Sequence, residues 1–116
     1  MKILVVDDSA VMRKITIKAL REAGHSDIVE AENGRDALGK APHVDIVFTD
    51  WNMPVMDGMT FVREFRKDHK TPIVMVTTEG GQKQVLEAMK AGVNDYIVKP
   101  FEASTIIEKL KLVTGT

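Results

Sequence analysis

Four short apolar runs, Ile3-Leu4-Val5-Val6, Ile46-Val47-Phe48, Ile73-Val74-Met75-Val76 and Tyr96-Ile97-Val98, are separated by longer segments whose apolar residues recur at helical spacing. Near-continuous apolar runs of this length read as strands buried on both faces. After the first run, Val11, Met12, Ile15, Ala19 and Leu20 fall on one helical stripe, with Ser9 or Asp8 as its cap and Gly24 as its end. A weaker strand at residues 27–31 leads through Asn33-Gly34 into a short helix with Ala37 and Leu38, broken before Pro42. Further stripes follow Asp57-Gly58 (Met59, Val62, Phe65) and Gly80-Gly81 (Val85, Leu86, Met89), and a last one carries Ile106, Ile107, Leu110 and Val113. Strict strand-helix alternation with short links demands right-handed crossovers into a parallel sheet. Five units are too few to close an eight-stranded barrel. The expected fold is α/β: an open, doubly wound, five-stranded parallel sheet with five helices, filling residues 1–116 as one domain.

Composition removes several classes of function. With no Cys, disulfide frameworks, thiolate-held zinc and a Cys nucleophile are all excluded. Lys and Arg number 16 against 17 Asp and Glu, for a net charge of -1, which lacks the basic footprint that direct nucleic-acid binding needs. No apolar run approaches the ~20 residues of a membrane-spanning helix. A cytoplasmic protein without membrane insertion is the expectation.

In open parallel sheets, ligands bind beyond the carboxyl ends of the strands. The residues that follow the apolar runs are Asp7-Asp8, Asp50, Thr77-Thr78 and Lys99-Pro100, so all are expected on one sheet edge. Carboxylates crowded into one crevice repel one another unless a cation neutralises them. An all-oxygen donor set favours a hard ion, and Mg²⁺ is the common one where few carboxylates are present. Lys99 and the Thr77 hydroxyl add a point charge and a donor suited to a phosphoryl group. The constellation points to metal-assisted phosphoryl chemistry.

Taken together, VVDDS at 5–9, TDWNMPVMDG at 49–58, VTT at 76–78 and DYIVKPF at 95–101 resemble the receiver domains of two-component response regulators over essentially the whole chain. Within that family the free-standing chemotaxis receivers are the most similar, on Trp51-Asn52-Met53-Pro54 and on Glu79. The resemblance implies a flavodoxin-like fold and a Mg²⁺-dependent switch, self-modifying and not a conventional enzyme. Asp50 would accept a phosphoryl group from a sensor histidine kinase of the chemotaxis type and later lose it by autodephosphorylation. Asp8, Asp50 and the Asn52 backbone carbonyl would hold Mg²⁺, with Asp7 acting through water. Lys99 and Thr77 would bind phosphoryl oxygens, and Tyr96 would turn into space that Thr77 vacates. Lys99-Pro100 would be a cis peptide, a form that proline makes accessible. Asn52 and Glu79 would set the lifetime of the phosphorylated state. A surface of Val85, Met89, Tyr96, Val98 and Lys109 would bind a flagellar motor switch protein or another target, with room for a phosphatase, and the protein would be a monomer. Gln82 departs from the family's usual basic residue there.

Each residue taken singly has a plainer reading. Asp7 or Asp8 can cap a helix, Asp50 can be a loop acid, Thr77 a strand end, Lys99 a solvated turn and Tyr96 core. Their coincidence at one edge is what lifts the functional reading. His25, His43 and His69 are expected at the surface, Phe48, Phe61, Phe65 and Phe101 in the core, and Trp51 in a partly open loop. A receiver in a non-chemotaxis phosphorelay fits the same residues. An aspartate-nucleophile phosphohydrolase fits less well, because its second acid, two residues after the nucleophile, is here Asn52. A docking module that has lost its chemistry conflicts with the retained Asp8, Asp50, Thr77 and Lys99. A flavodoxin-like cofactor binder lacks its phosphate loop, since Asp7-Asp8 stands where that loop would begin.

Overall fold

The computed structural model describes residues 1–115. Its strands are β1 (Ile3–Val6), β2 (Ile28–Ala31), β3 (Ile46–Thr49), β4 (Ile73–Thr77) and β5 (Asp95–Val98). Between and after them run α1 (Ala10–Glu22), α2 (Gly34–Lys40), α3 (Gly58–Phe65), α4 (Gln82–Ala91) and α5 (Ala103–Thr114), with one 3-10 turn at Ala41–His43. All neighbouring strands pair in parallel, in the order β2-β1-β3-β4-β5. The doubly wound α/β sheet expected from the alternation is thus the observed fold.

Alternation of side chains along each strand divides the core in two. Leu4 and Val6 of β1 face one layer, where α2, α3 and α4 contribute Ala37, Phe61, Val62, Phe65 and Ala88. Ile3 and Val5 face the other layer, against Ile17 and Leu20 of α1 and Ile106 and Leu110 of α5. The three central strands β1, β3 and β4 are buried at every residue.

Two expectations need correction. β5 is not buried on both faces: it lies at the sheet edge, paired only with β4, and of its residues only Ile97 is buried while Val98 is 45% exposed. The α1 stripe is also rotated from its expected position. Thr16, Ile17, Ala19 and Leu20 are its buried residues, and Val11 and Ile15 point outward. An apolar spacing that fits two overlapping stripes does not say which one meets the sheet.

Helix starts follow local chemistry. Ser9, Asn33 and Asp57 accept the amides of Met12, Asp36 and Thr60, so α1, α2 and α3 each begin at a side-chain cap. Helix α1 ends at Glu22, with Ala23 as its C-cap and Gly24 following at φ +95°. Among the described residues, no helix is long and apolar enough to cross a membrane.

Candidate functional site

The sheet reverses direction at β1: the chain leaves it toward β2 on one side, then returns past it to β3 on the other. Such a switch point opens a crevice at the strand ends. Asp7-Asp8 follows β1 and Asp50 follows β3, and the Asp50 amide donates to the Val6 carbonyl at 2.9 Å, tying the two ends together. Carboxylate oxygens of Asp7, Asp8 and Asp50 lie within 4.8 Å of one another. Asp7 and Asp50 are buried, whereas Asp8 is open to solvent. The expected cluster is therefore present, and its all-oxygen donors could hold a hard divalent cation with one side left to water.

Lys99 reaches this crevice from the end of β5. Its Nζ donates to Asp7 Oδ2 at 2.8 Å and to Asp50 Oδ2 at 2.9 Å, so one ammonium is shared between two buried carboxylates. Burial pushes the Lys99 pKa down, but hydrogen bonds and charge from Asp7 and Asp50 outweigh it, and the net shift is upward. The Lys99–Pro100 peptide is cis. The second Asp50 oxygen, Oδ1, accepts the Trp51 amide at 2.6 Å.

The loop after Asp50 is closed by glycine. Gly58 donates its amide to the Trp51 carbonyl at 2.7 Å, and a Cβ on Gly58 would stand 1.9 Å from the Asp50 carbonyl oxygen. Only hydrogen fits that approach. Trp51 is half-buried in this loop, as expected.

Thr77 is fully buried at the end of β4, and its Oγ1 accepts the Glu79 amide at 3.3 Å. The Tyr96 hydroxyl donates to the carbonyl of the same Glu79. Burial first, then the negative charges of Glu79 and Asp50, pushes the Tyr96 pKa up to about 12. The Glu79 carboxylate accepts Asn52 Nδ2 at 3.0 Å. One residue thus joins Thr77, Tyr96 and Asn52, a convergence on Glu79 that the sequence did not reveal. Tyr96 already reaches Glu79 while Thr77 keeps its own contact with it.

Of the expected partner surface, Met89 and Val98 are exposed and Val85 and Tyr96 are half-buried. Lys109 is half-buried and paired with Asp95 at 3.1 Å. His43 is exposed as expected, but half-buried His69 stacks on Phe65 with ring centroids 4.6 Å apart. Phe101 is only partly buried, unlike the other three phenylalanines. Nothing in the sequence distinguishes Arg13 from a solvated cation on an amphipathic helix, yet its Nη1 donates to the Asp7 carbonyl at 2.6 Å.

Comparison with known proteins agrees with this geometry. Residues 3–111 match the response regulator receiver domain family. The chain is 51% identical to the chemotaxis protein CheY homolog of Campylobacter jejuni, covering 100% of this chain and 94% of that protein. It is 48% identical to chemotaxis protein CheY1 of Helicobacter pylori, covering 100% of this chain and 98% of that one. Among solved structures, chemotaxis response regulator CheY4 of Vibrio cholerae superposes with a TM-score of 0.88 at 38% identity over 97% of both chains. A two-component response regulator from Clostridium difficile gives a TM-score of 0.90 at 29% identity, over 97% of this chain and 94% of that one. An acid crevice at the switch point, a lysine shared within it and similarity along the full length lead to one assignment: the chain belongs to the response regulator receiver domain family, and within it is a CheY-like chemotaxis response regulator.

Proposed function

We propose that this protein is a phosphorylation-driven switch that takes a phosphoryl group on Asp50 and passes the signal on by binding a target protein. The observation that carries the reading is the state of Asp50: buried at the switch point, with one oxygen on Lys99 and the other on the Trp51 amide, and with Asp8 open beside it. The donor is a phosphohistidine of a sensor histidine kinase of the chemotaxis type. Its P–N bond breaks as the Asp50 oxygen bonds to phosphorus, and the histidine ring nitrogen leaves as the product imidazole.

Asp8, Asp50 and the Asn52 carbonyl would hold Mg²⁺ in this scheme, with Asp7 acting through water. The ion supplies charge neutralisation to the phosphoryl oxygens, the main requirement of a loose phosphoryl-transfer transition state. Lys99 turns one of its donors from a carboxylate to a phosphoryl oxygen. Thr77 donates its hydroxyl to another, which takes its Oγ1 away from the Glu79 amide. Tyr96, attached to the same residue, registers that change. Hydrolysis of the acyl phosphate by water reverses the switch, and the Asn52–Glu79 pair controls how readily water enters. The output surface comprises Val85, Met89, Tyr96, Val98 and Lys109, and its target is a flagellar motor switch protein. The protein works in the cytoplasm as a monomer.

Incubation with acetyl phosphate and Mg²⁺ tests the central step. One hydroxylamine-sensitive phosphoryl group should be added per chain, and Asp50→Asn should take up none. Full labelling of Asp50→Asn would overturn the assignment.

A further inference from the structure

We infer that Arg13 is a positioning residue for the acidic crevice, holding the Asp7–Asp8 peptide in the orientation that lets both carboxylates face one cation. The inference rests on the proposed cation site and adds to it a residue that touches neither cation nor phosphoryl group.

Asp7 has every polar group engaged. Its amide donates to Ala31 at 3.1 Å, Oδ1 accepts the Ser9 amide at 2.9 Å, and Oδ2 accepts Lys99. Its carbonyl accepts Arg13 Nη1. Asp8 is the opposite case: among the described residues, no hydrogen bond or ion pair holds its carboxylate. Where Asp8 points is therefore left to its backbone. A peptide unit is planar, so the Asp7 carbonyl oxygen and the Asp8 Cα move together, and a bond that fixes the first fixes the second.

Arg13 is placed to do this by the start of its own helix. Its amide donates to the Ser9 carbonyl at 3.0 Å, and helical side chains lean toward the N-terminus, which returns the guanidinium to the chain entering α1. A closed circuit results, running from Asp7 through Ser9 and Arg13 and back to Asp7. The guanidinium is itself held, since Nε donates to Glu30 Oε1 at 2.9 Å. Glu30 lies opposite Val5 in the β1–β2 pairing, and its carbonyl accepts Lys40 Nζ at 2.6 Å. The Arg13 side chain is 17% exposed, which fits a fixed strut better than a solvated cation. Because Glu30 offsets its charge, Arg13 acts by geometry more than by field.

Mn²⁺, which takes the same oxygen donors, is the probe, and the free ion is counted by its paramagnetic resonance signal during titration. Residues that orient metal ligands typically cost about 10-fold or more in affinity when removed, and Arg13→Ala is expected to show a loss of that order. Arg13→Lys keeps the charge without the planar fork and should lose nearly as much. Glu30→Gln keeps an acceptor for Nε and should bind close to wild type. Unchanged or tighter binding by Arg13→Ala overturns the inference, as does full recovery in Arg13→Lys, which would make the effect one of charge. A lower urea midpoint with unaltered Mn²⁺ affinity also overturns it, by showing a role in stability alone. If Arg13→Ala fails to fold, Arg13→Lys alone decides. Wild-type protein that binds no Mn²⁺ overturns the cation site itself, a result distinct from all of these.

Discussion

Tyr96 carries a measurable signature of its contacts. It is the chain's single tyrosine, so phenolate absorbance reports it alone. Burial, then the charges of Glu79 and Asp50, holds its pKa at about 12, against about 10 for a free phenol. At pH 11 the folded protein should therefore show roughly a tenth of its phenol ionised, where a free phenol would show about nine-tenths. The folded value lies above the unfolded one, so the folded state binds the extra proton between them. The stabilisation it provides is full below about pH 10 and is lost as pH rises toward about 12. Tyr96→Phe should remove this component of the alkaline decline in stability. Absorbance already saturated at pH 11 in folded protein would mean that the hydroxyl is free in water.

Helices α3 and α4 differ in how firmly they are held, although the sequence marks both with apolar stripes. α3 starts at the Asp57 cap and buries Met59, Phe61, Val62 and Phe65. α4 starts at Gly81 with no side-chain cap and fully buries only Ala88, while Leu86 and Met89 are 52% and 42% exposed. An uncapped helix with little buried area opens at low free energy. Phe61→Ala should cost about 3–5 kcal/mol by cavity formation, whereas Met89→Ala should stay within about 0.5 kcal/mol. Urea midpoints measure both. Amide exchange should be faster in α4 than in α3, and equal protection in the two would refute the contrast. The proposed output surface takes its exposed Met89 from this less anchored helix.

For the whole molecule, the acidic crevice is a standing cost that Lys99 offsets. Asp7 and Asp50 are 6% and 9% exposed, and the Lys99 side chain is 11% exposed. Removing one member of a buried ionic group leaves uncompensated charge, at about 3–5 kcal/mol. Lys99→Met should lose stability of that order in EDTA. Mg²⁺ should restore more stability to this variant than it adds to the wild type, by binding the folded state alone. Denaturation in urea with and without Mg²⁺ tests this. Equal stability of Lys99→Met and wild type in EDTA would show that the two carboxylates are adequately solvated.

What the sequence determined by itself was whatever depends on local periodicity and strand ends. The spacing of Met59, Val62 and Phe65, the Asp57 cap and the apolar run Ile73-Val74-Met75-Val76 are short-range facts, and right-handed crossovers then carry every strand's carboxyl end to one edge. That is why Asp7, Asp8, Asp50, Thr77 and Lys99 are legible as one group from the sequence. Burial depended on strand order, which no single segment encodes: Tyr96-Ile97-Val98 reads like a central strand and is an edge. The stripe on α1 depended on which side of the helix met the sheet. Pairings between distant residues also belonged to the tertiary structure. Lys99 meets Asp7 across 92 positions, and Glu79 meets Asn52 across 27. Arg13 lies only six residues from Asp7, yet its guanidinium is also held by Glu30 on the neighbouring strand. Periodicity assigns a residue to a face, but only packing of the whole chain chooses the atom it touches.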